Sequence, residues 1–453
     1  MNNLERINQR AKKNILTAIS KFILNSSEER IKKIIKLLEI ISPQKDKPFF
    51  ENMSKNFSEK SPYYNLYKKI LINSNKNFRD KLINNLLING AVLNQSKRNE
   101  AKKNGSSVPT VILISPTMRC NLKCFGCYAN NYSKKDDLDV ELVSRVINEG
   151  KELGVAFFTF LGGEPFIWDG LLDILKKHSD VFFLVFTNGT LINSEIVNQI
   201  AELGNVLPIL SIEGTEQDTN NRRGNDVYKI VLNVMEMLKN KNLPFGYSIT
   251  VTRNNLETVT DDDFFYMMAE MGAIIGWYFL YMPVGKDFDI SLMPTPQQRL
   301  YLKDKVVDIR KKLPLFVIDF WGDAPFVGGC IAASRYIHIN HKGDVEPCIF
   351  SHFAEVNIKN ISLKDALNCN YFKEIRKRQP YNENLYLPCM IIDNPSVSRE
   401  LFKNCNIYST DGNSERVLFE IDKELDNYAQ NVKKLYDVEW EKEKDKFIDK
   451  IHK

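Results

Sequence analysis

Cys120, Cys124 and Cys127 stand in the run MRCNLKCFGCYAN as a C-x3-C-x2-C triplet, directly after the apolar stretch Val111-Ile112-Leu113-Ile114. Three thiolates on so short a loop can hold three irons of a 4Fe–4S cube. The fourth iron is then open to a substrate or cofactor, which a cluster with four cysteines does not allow. Other uses of clustered cysteines fit less well. Zinc knuckles match one C-x2-C pair with a second, and this loop begins with a three-residue gap. Thioredoxin-like redox motifs use two cysteines. Free core thiols are the remaining alternative.

More chemistry-bearing residues follow at regular intervals. The segment LGGEPF carries Gly162 and Gly163, which let backbone come close to a ligand, and Glu164, whose carboxylate can grip an ammonium group. TNGT carries Asn188 and Gly189, and SIEG carries Ser211 and Glu213. A second cysteine group lies further on: Cys330 and Cys348 bracket the stretch RYIHINHKGDVEPC, then come Cys389 and Cys405. Cys369 falls in the amphipathic stretch Leu363, Ala366, Leu367, Phe372, Ile375 and reads as a structural thiol.

The elements that must position these residues can be read from the apolar pattern. From Val108, strand-length apolar runs alternate with helical stretches: VPTVILIS, AFFTFL, VFFLVFT, VLPILSI, FGYSITV and GWYFLYM, with helices beginning near Asp139, Trp168, Ser194, Val227 and Asp261. Near-continuous apolar strands suit a parallel sheet covered by helices. Six such units imply an open or partly closed parallel sheet with its chemistry at the carboxyl ends of the strands. The cysteine loop and the three polar segments all fall at such ends. A helix is expected near 295–313. The alternation at Tyr336, Ile337, His338, Ile339, the Lys342-Gly343 turn and Val345 predict two short paired strands. The helix NISLKDALNCNYFKEIRKRQP follows, and a charged helix with an apolar stripe (Leu418, Leu425, Val432, Leu435, Trp440) ends the chain as cover for the body.

Before Val108 the pattern is helical. Leu4, Ile7, Ala11, Ile15, Ile19, Phe22 and Ile23 predict a helix over 3–24, and Ser26 with Glu29 reads as a capping box opening a second, which Pro43 follows. Weaker stretches lie near 63–73 and 77–92, and KRNEAKKNGSS reads as a linker. This front is basic. Residues 1–107 hold 22 Lys+Arg against 9 Asp+Glu and the rest 40 against 48, so the net +5 divides into +13 and −8. Such a segment suits an acidic partner or a membrane surface, or is a solvated helix face. With 453 residues, 43% of them hydrophobic and 26% charged, the chain can build two or three cored domains. Eight cysteines in such a length do not make a secreted disulfide scaffold. No secretory signal and no apolar run of about 18 residues is visible, so a cytoplasmic location is expected.

Residues 108–315 resemble a radical S-adenosylmethionine (radical SAM) enzyme, through the cysteine triplet, the Gly162-Gly163-Glu164-Pro165 loop, the TNG and SIEG strand ends and the Arg223-Gly224 pair. The resemblance implies an α/β fold: a partial (β/α)6 parallel barrel, with an all-α N-terminal domain over 1–107 before it. It implies a cluster on Cys120, Cys124 and Cys127 whose open iron chelates S-adenosylmethionine, reductive cleavage to a 5′-deoxyadenosyl radical, and hydrogen abstraction from a substrate. Gly162, Gly163 and Glu164 then meet the methionyl ammonium; Asn188, Ser211 and Glu213 approach ribose or carboxylate; Arg223 is a carboxylate partner, with Arg222 beside it. The family often has an aromatic where Gly126 stands, and commonly Asp where Glu213 stands. Residues 316–412 resemble the auxiliary-cluster domain called SPASM, or twitch when shortened, a small α+β cluster-binding domain; 413–453 is the C-terminal helix. The dense cysteine run of the full form is missing after Cys389, which implies one auxiliary 4Fe–4S cluster on Cys330, Cys348, Cys389 and Cys405. If Cys405 is no ligand, the last iron is open or takes Asp393, His338, His341 or His352. The implied enzyme is anaerobic, takes electrons from a ferredoxin or flavodoxin, and modifies a peptide or oxidises a small molecule or cofactor precursor. No specific nucleic acid is expected. The alternative is a non-catalytic iron–sulfur electron-transfer or scaffold protein, which has no need of the GGE loop.

Overall fold

The computed structural model describes residues 61–447 except 104, 106 and 287, with Glu29, Lys33, Lys36, Ile40 and Glu51 as isolated positions before them. Apart from those positions, the helices expected over 3–24 and after Ser26 lie outside the described residues. Among the described residues no helix is long and apolar enough to cross a membrane.

The six expected strands form as β1 (Val111–Ile114), β2 (Phe157–Phe160), β3 (Phe182–Thr187), β4 (Val206–Ser211), β5 (Phe245–Val251) and β6 (Ala273–Leu280). Each pairs in parallel with the next. Helices cross between them, and local chemistry fixes their ends. Asp139 caps Val140–Leu153 by accepting the amides of Glu141 and Leu142, and Gly154 ends it at φ 97°. The helix expected from Trp168 starts later, as Leu171–Lys177, because Pro165–Ile167 forms a short 3₁₀ turn first.

The sheet does not stop at six strands. β7 (Phe316–Asp319) pairs in parallel with β6, and β8 (Tyr336–Ile339) pairs in parallel with β1 on the opposite flank. β9 (Val345–Glu346) folds back antiparallel on β8, as the hairpin pattern predicts. The order is therefore β7-β6-β5-β4-β3-β2-β1-β8-β9. β10 (Phe353–Ala354) and β11 (Tyr408–Ser409) form a separate antiparallel pair.

Three expected segments come out differently. The linker KRNEAKKNGSS is mostly helix, Gln95–Lys103. Arg98 donates to the carbonyls of Gly154 at 2.9 Å and Gly90 at 2.8 Å, so this helix is bound to the barrel. The helix after the hairpin is broken into Leu363–Leu367 and Asn370–Arg378, with Cys369 at the break. The C-terminal helix divides into Ser414–Phe419 and Asp422–Glu443.

The described part of the basic front, helical at Pro62–Tyr67 and Lys76–Lys81 and widened to five-residue bonding after each, packs at the strand starts. Phe78 is fully buried with its ring 5.6 Å from Phe182. Asn85 donates to the Val181 carbonyl, and Lys69 to the carbonyls of Ala269 and Ala273. These helices close the end of the sheet opposite the cysteine loop.

Candidate active site between two cysteine groups

Side chains from β1 to β6 face one cavity of about 310 Å³, so the sheet curls around it. Val111, Phe157, Leu184, Ser248, Trp277 and Phe279 line its strands, while Cys120, Cys124 and Cys127 stand at its rim. The Gly-Gly loop fixes that rim. Gly163 N–H donates to the Thr117 carbonyl at 3.0 Å and Glu164 N–H to the Arg119 carbonyl at 2.9 Å. A Cβ on Gly162 would collide with the Thr117 carbonyl, and one on Gly163 with the Arg119 carbonyl. The two glycines thus let the loop press against the three residues that lead into Cys120. Gly126 has φ 63°, and a Cβ there would lie 2.7 Å from the Tyr281 ring, which itself lines the cavity.

Gly162, Gly163, Asn188, Ser211 and Arg223 line the cavity as expected, and Arg222 joins them. Asn188 Nδ2 lies 2.9 Å from Asn121 Oδ1 and 3.8 Å from Cys120 Sγ. Arg223 reaches to 4.0 Å from Cys124 Sγ.

Two of the expected contact residues, Glu164 and Glu213, are engaged within the chain. The Glu164 carboxylate is fully buried and spent within the chain: it accepts from Thr187 Oγ1 at 2.7 Å, Asn188 N at 2.7 Å and Phe166 N at 3.1 Å. It ties the ends of β2 and β3 together, and burial pushes its pKa up to about 6 despite these donors. Glu213 is equally enclosed. Its Oε1 takes Arg222 and Arg223, each at 2.5 Å, and its Oε2 the Thr250 amide. It orients two arginines. The helix Glu216–Arg223 presents those arginines in its last turn; a Thr215–Asp218 capping box starts it, and nothing in the apolar pattern announced it.

The second group forms behind the opposite wall. Cys330, Cys348 and Cys389 come close enough to influence one another: burial pushes Cys330 up to about 12, with Cys348 adding, and Cys389 well above its ordinary value, with Asp393 and Cys330 adding. Buried thiols facing each other in this way suit a cationic metal group, which favours the thiolate. Each also receives the amide of the residue two positions on: Ala332 to Cys330, Phe350 to Cys348, Ile391 to Cys389. Cys120 has the same arrangement with Leu122 at 3.4 Å. Among the described residues no three candidate ligands crowd around a single ion; a cube spreads its ligands wider. The donor sets fit clusters at both places.

Cys405, expected as the fourth ligand, lies one helix further along the chain from Cys389. Asn394 N–H binds the Cys389 carbonyl, and the helix Pro395–Asn404 then runs about 15 Å before Cys405. The charges around Cys405 are Glu374, Glu355 and Arg378, and Glu355 also faces Cys369. Three of the alternative ligands are engaged elsewhere. Asp393 pairs with Arg299 at 2.7 Å and accepts Cys389 N–H at 3.0 Å. His352 meets Asp411 at 2.9 Å. His338 sits between Ser115 Oγ at 2.7 Å and Glu346 at 2.5 Å. That Ser–His–Glu line has the look of a nucleophilic triad, yet all three are sealed from solvent and Glu346 is also held by Tyr132, Asn340 and Thr410. It fastens the β8–β9 hairpin beneath the cysteine loop. His341 is buried with neither ring nitrogen bonded, stacked edge-on to Tyr132 at 5.7 Å.

Sequence reasoning missed the tyrosines. Tyr336 Oη donates to Cys348 Sγ at 2.9 Å, and Tyr381 lies near Cys330. Tyr336 heads the strand run that was read only for its alternation.

A radical SAM superfamily model matches residues 114–269, and a SPASM iron-sulfur cluster-binding domain model matches 330–390, a range that leaves out Cys405. An AdoMet-dependent heme synthase of Methanosarcina barkeri is 24% identical over 301 residues, 60% of this chain and 86% of its own. The sporulation killing factor maturation protein SkfB of Bacillus subtilis is 29% identical over 160 residues, 34% of this chain and 39% of its own. The crystal structure of SuiB from Streptococcus suis superposes with a TM-score of 0.52 at 18% identity, covering 62% of this chain and 71% of that one, a likeness of fold.

Proposed function

From the premise that this chain is a radical SAM enzyme with a SPASM-type iron–sulfur domain, we propose that it performs hydrogen abstraction on an uncharged, apolar or aromatic portion of its substrate, held between two clusters. The observation that carries this reading is one cavity lined both by Cys120, Cys124 and Cys127 and by Ile331, Tyr336, Ile349 and Phe350, the neighbours of Cys330 and Cys348. When bound, a 4Fe–4S cluster supplies the electron that cleaves S-adenosylmethionine to a 5′-deoxyadenosyl radical, which takes hydrogen from the substrate.

The chain's own share is holding and exclusion. The backbone of Gly162 and Gly163 offers the close approach an ammonium needs. Arg223, oriented by Glu213, offers charge to a carboxylate beside Cys124. Asn188 and Ser211 supply hydrogen bonds at the rim. Trp277 and Phe279 stack at 5.9 Å, nearly parallel, with Phe186 against both, and make a wall that keeps water from a radical. In that wall the buried Trp277 indole N–H has no partner, so a substrate acceptor is matched there. Beyond the rim the lining is mostly apolar and aromatic, which disfavours a substrate carrying its carboxylates into this space. The relatives span heme synthesis and peptide maturation; this lining favours an apolar side chain of a peptide, with an electron donor of the ferredoxin or flavodoxin class.

Anaerobic reconstitution should give about eight irons per chain. Replacing Cys120, Cys124 and Cys127 with Ala should leave about four and abolish formation of 5′-deoxyadenosine. Replacing Cys330, Cys348 and Cys389 should also leave about four but spare that cleavage. A native chain that never exceeds four irons, or a first triple variant that still cleaves the cofactor, overturns the reading.

A further inference from the structure

Tyr336 is in two places at once. Its ring lines the cavity, packed against Phe320 with centroids 6.3 Å apart, and its hydroxyl donates to Cys348 Sγ at 2.9 Å. Its backbone is held rigidly, because it opens β8 and pairs with Val111 of β1. We propose that Tyr336 sets the reduction potential of the cluster on Cys330, Cys348 and Cys389 and makes that potential respond to what fills the cavity. This rests on the reading that those three cysteines hold a cluster.

A hydrogen bond onto a ligand sulfur draws electron density from the cluster, and the reduced state, with one more negative charge, gains more from it than the oxidised state. The Tyr336 O–H therefore raises the potential and readies the cluster to accept an electron. Cys348 Sγ also takes the Phe350 amide at 3.4 Å, so removing the hydroxyl leaves backbone donation in place and weakens rather than abolishes this bias. The link to the cavity is mechanical. The ring has little freedom, with Phe320 on one side and Cys348 at its tip, so an occupant that presses on it changes the length or angle of the O–H to sulfur bond, whose strength falls steeply as it bends. Tyr336 acts through Cys348 and is a positioning residue.

The test is Tyr336→Phe in the full reconstituted chain. The variant should hold the native iron content, keep the spectrum of the first cluster, and show the second cluster's midpoint moved to a more negative potential in a redox titration followed by electron paramagnetic resonance. Indole, added as an apolar probe, should alter the second cluster's spectrum in the native chain and leave it unchanged in the variant. An unchanged midpoint in a fully loaded variant overturns the potential-setting role. An indole effect that is absent from the native chain, or equal in both, overturns the coupling to occupancy. A native chain that loads iron at the first site alone overturns the cluster reading and this inference with it, an outcome that iron analysis separates from the other two.

Discussion

At the scale of single residues, the most demanding positions are those where a side chain must be missing. Gly163 lets the GGE loop bond to the segment before Cys120, and an added methyl group would meet the Arg119 carbonyl, which belongs to rigid backbone. Gly163→Ala should therefore push Arg119 and Cys120 outward and cost most of the roughly four irons of the first site. Iron analysis with retained far-ultraviolet dichroism reads this; a fully loaded variant would show that the loop can yield. The spacing of cysteines and glycines made this site legible, since both residue types are specified by what they alone can do. The direction of a carboxylate is not so specified, and Glu164 and Glu213 turned inward to backbone amides and arginines. Burial also acts on His178, bonded to Ser144 at 2.9 Å and near Lys151, Lys177 and Asp180; it lowers the imidazole pKa to about 4. Between there and its ordinary 6.5 the unfolded chain binds more protons, so stability rises with pH over that window, by at most about 1.4 kcal/mol per unit from this group. Below about 4 the folded imidazole is also protonated and the slope ends. His341, lowered likewise, adds in the same direction. Unfolding free energies of native and His178→Gln protein from pH 4 to 7 should show the flatter profile in the variant.

Among the elements, the strands announced themselves because a sheet covered by helices requires apolar runs, and six were found. Those missed had no such signature. β7 is four residues, FVID, and exists through its pairing with β6. Glu216–Arg223 is polar all round, held by its capping box and by Glu213 rather than by an apolar stripe. The helix Pro296–Lys312 was legible, but not what it joins. Its Arg299 is wholly buried, paired with Asp393 beside Cys389, and lies against Tyr436 at 5.4 Å and Tyr428 at 6.0 Å, both from the C-terminal helix. Lys303, one turn on, binds Glu439 and Glu443 of that same helix. The helix Pro296–Lys312, the segment holding Cys389 and Asp393, and the final helix thus meet at one guanidinium. Arg299→Met strands a buried carboxylate and should lower stability by about 3–5 kcal/mol, while adding Asp393→Asn should restore much of it. Urea unfolding of the two variants checks this; equal losses would mean the pair's charge is not what holds the junction.

At the scale of the whole molecule, the described part of the basic front and the site lie at opposite ends of the sheet. The helices at 62–103 seal the strand starts through Phe78, Asn85 and Lys69, and burial with Lys239 nearby brings the Lys69 pKa down to about 8. The charge asymmetry was visible in the sequence, but which end of the barrel it would cover was not, because composition carries no direction. The same holds for the C-terminal third, whose hairpin was read correctly while its place beside β1 was not. That place has a consequence for how the molecule keeps to itself. An unpaired strand edge is a template for another chain, and the eight-residue β6, AIIGWYFL, would be a long apolar one. The segment after residue 315 covers it with β7 and covers β1 with β8, leaving as outermost strands only a four-residue β7 and a two-residue β9. Cut from that segment, the barrel would be expected to aggregate strand to strand, because β6 and β1 would become its edges.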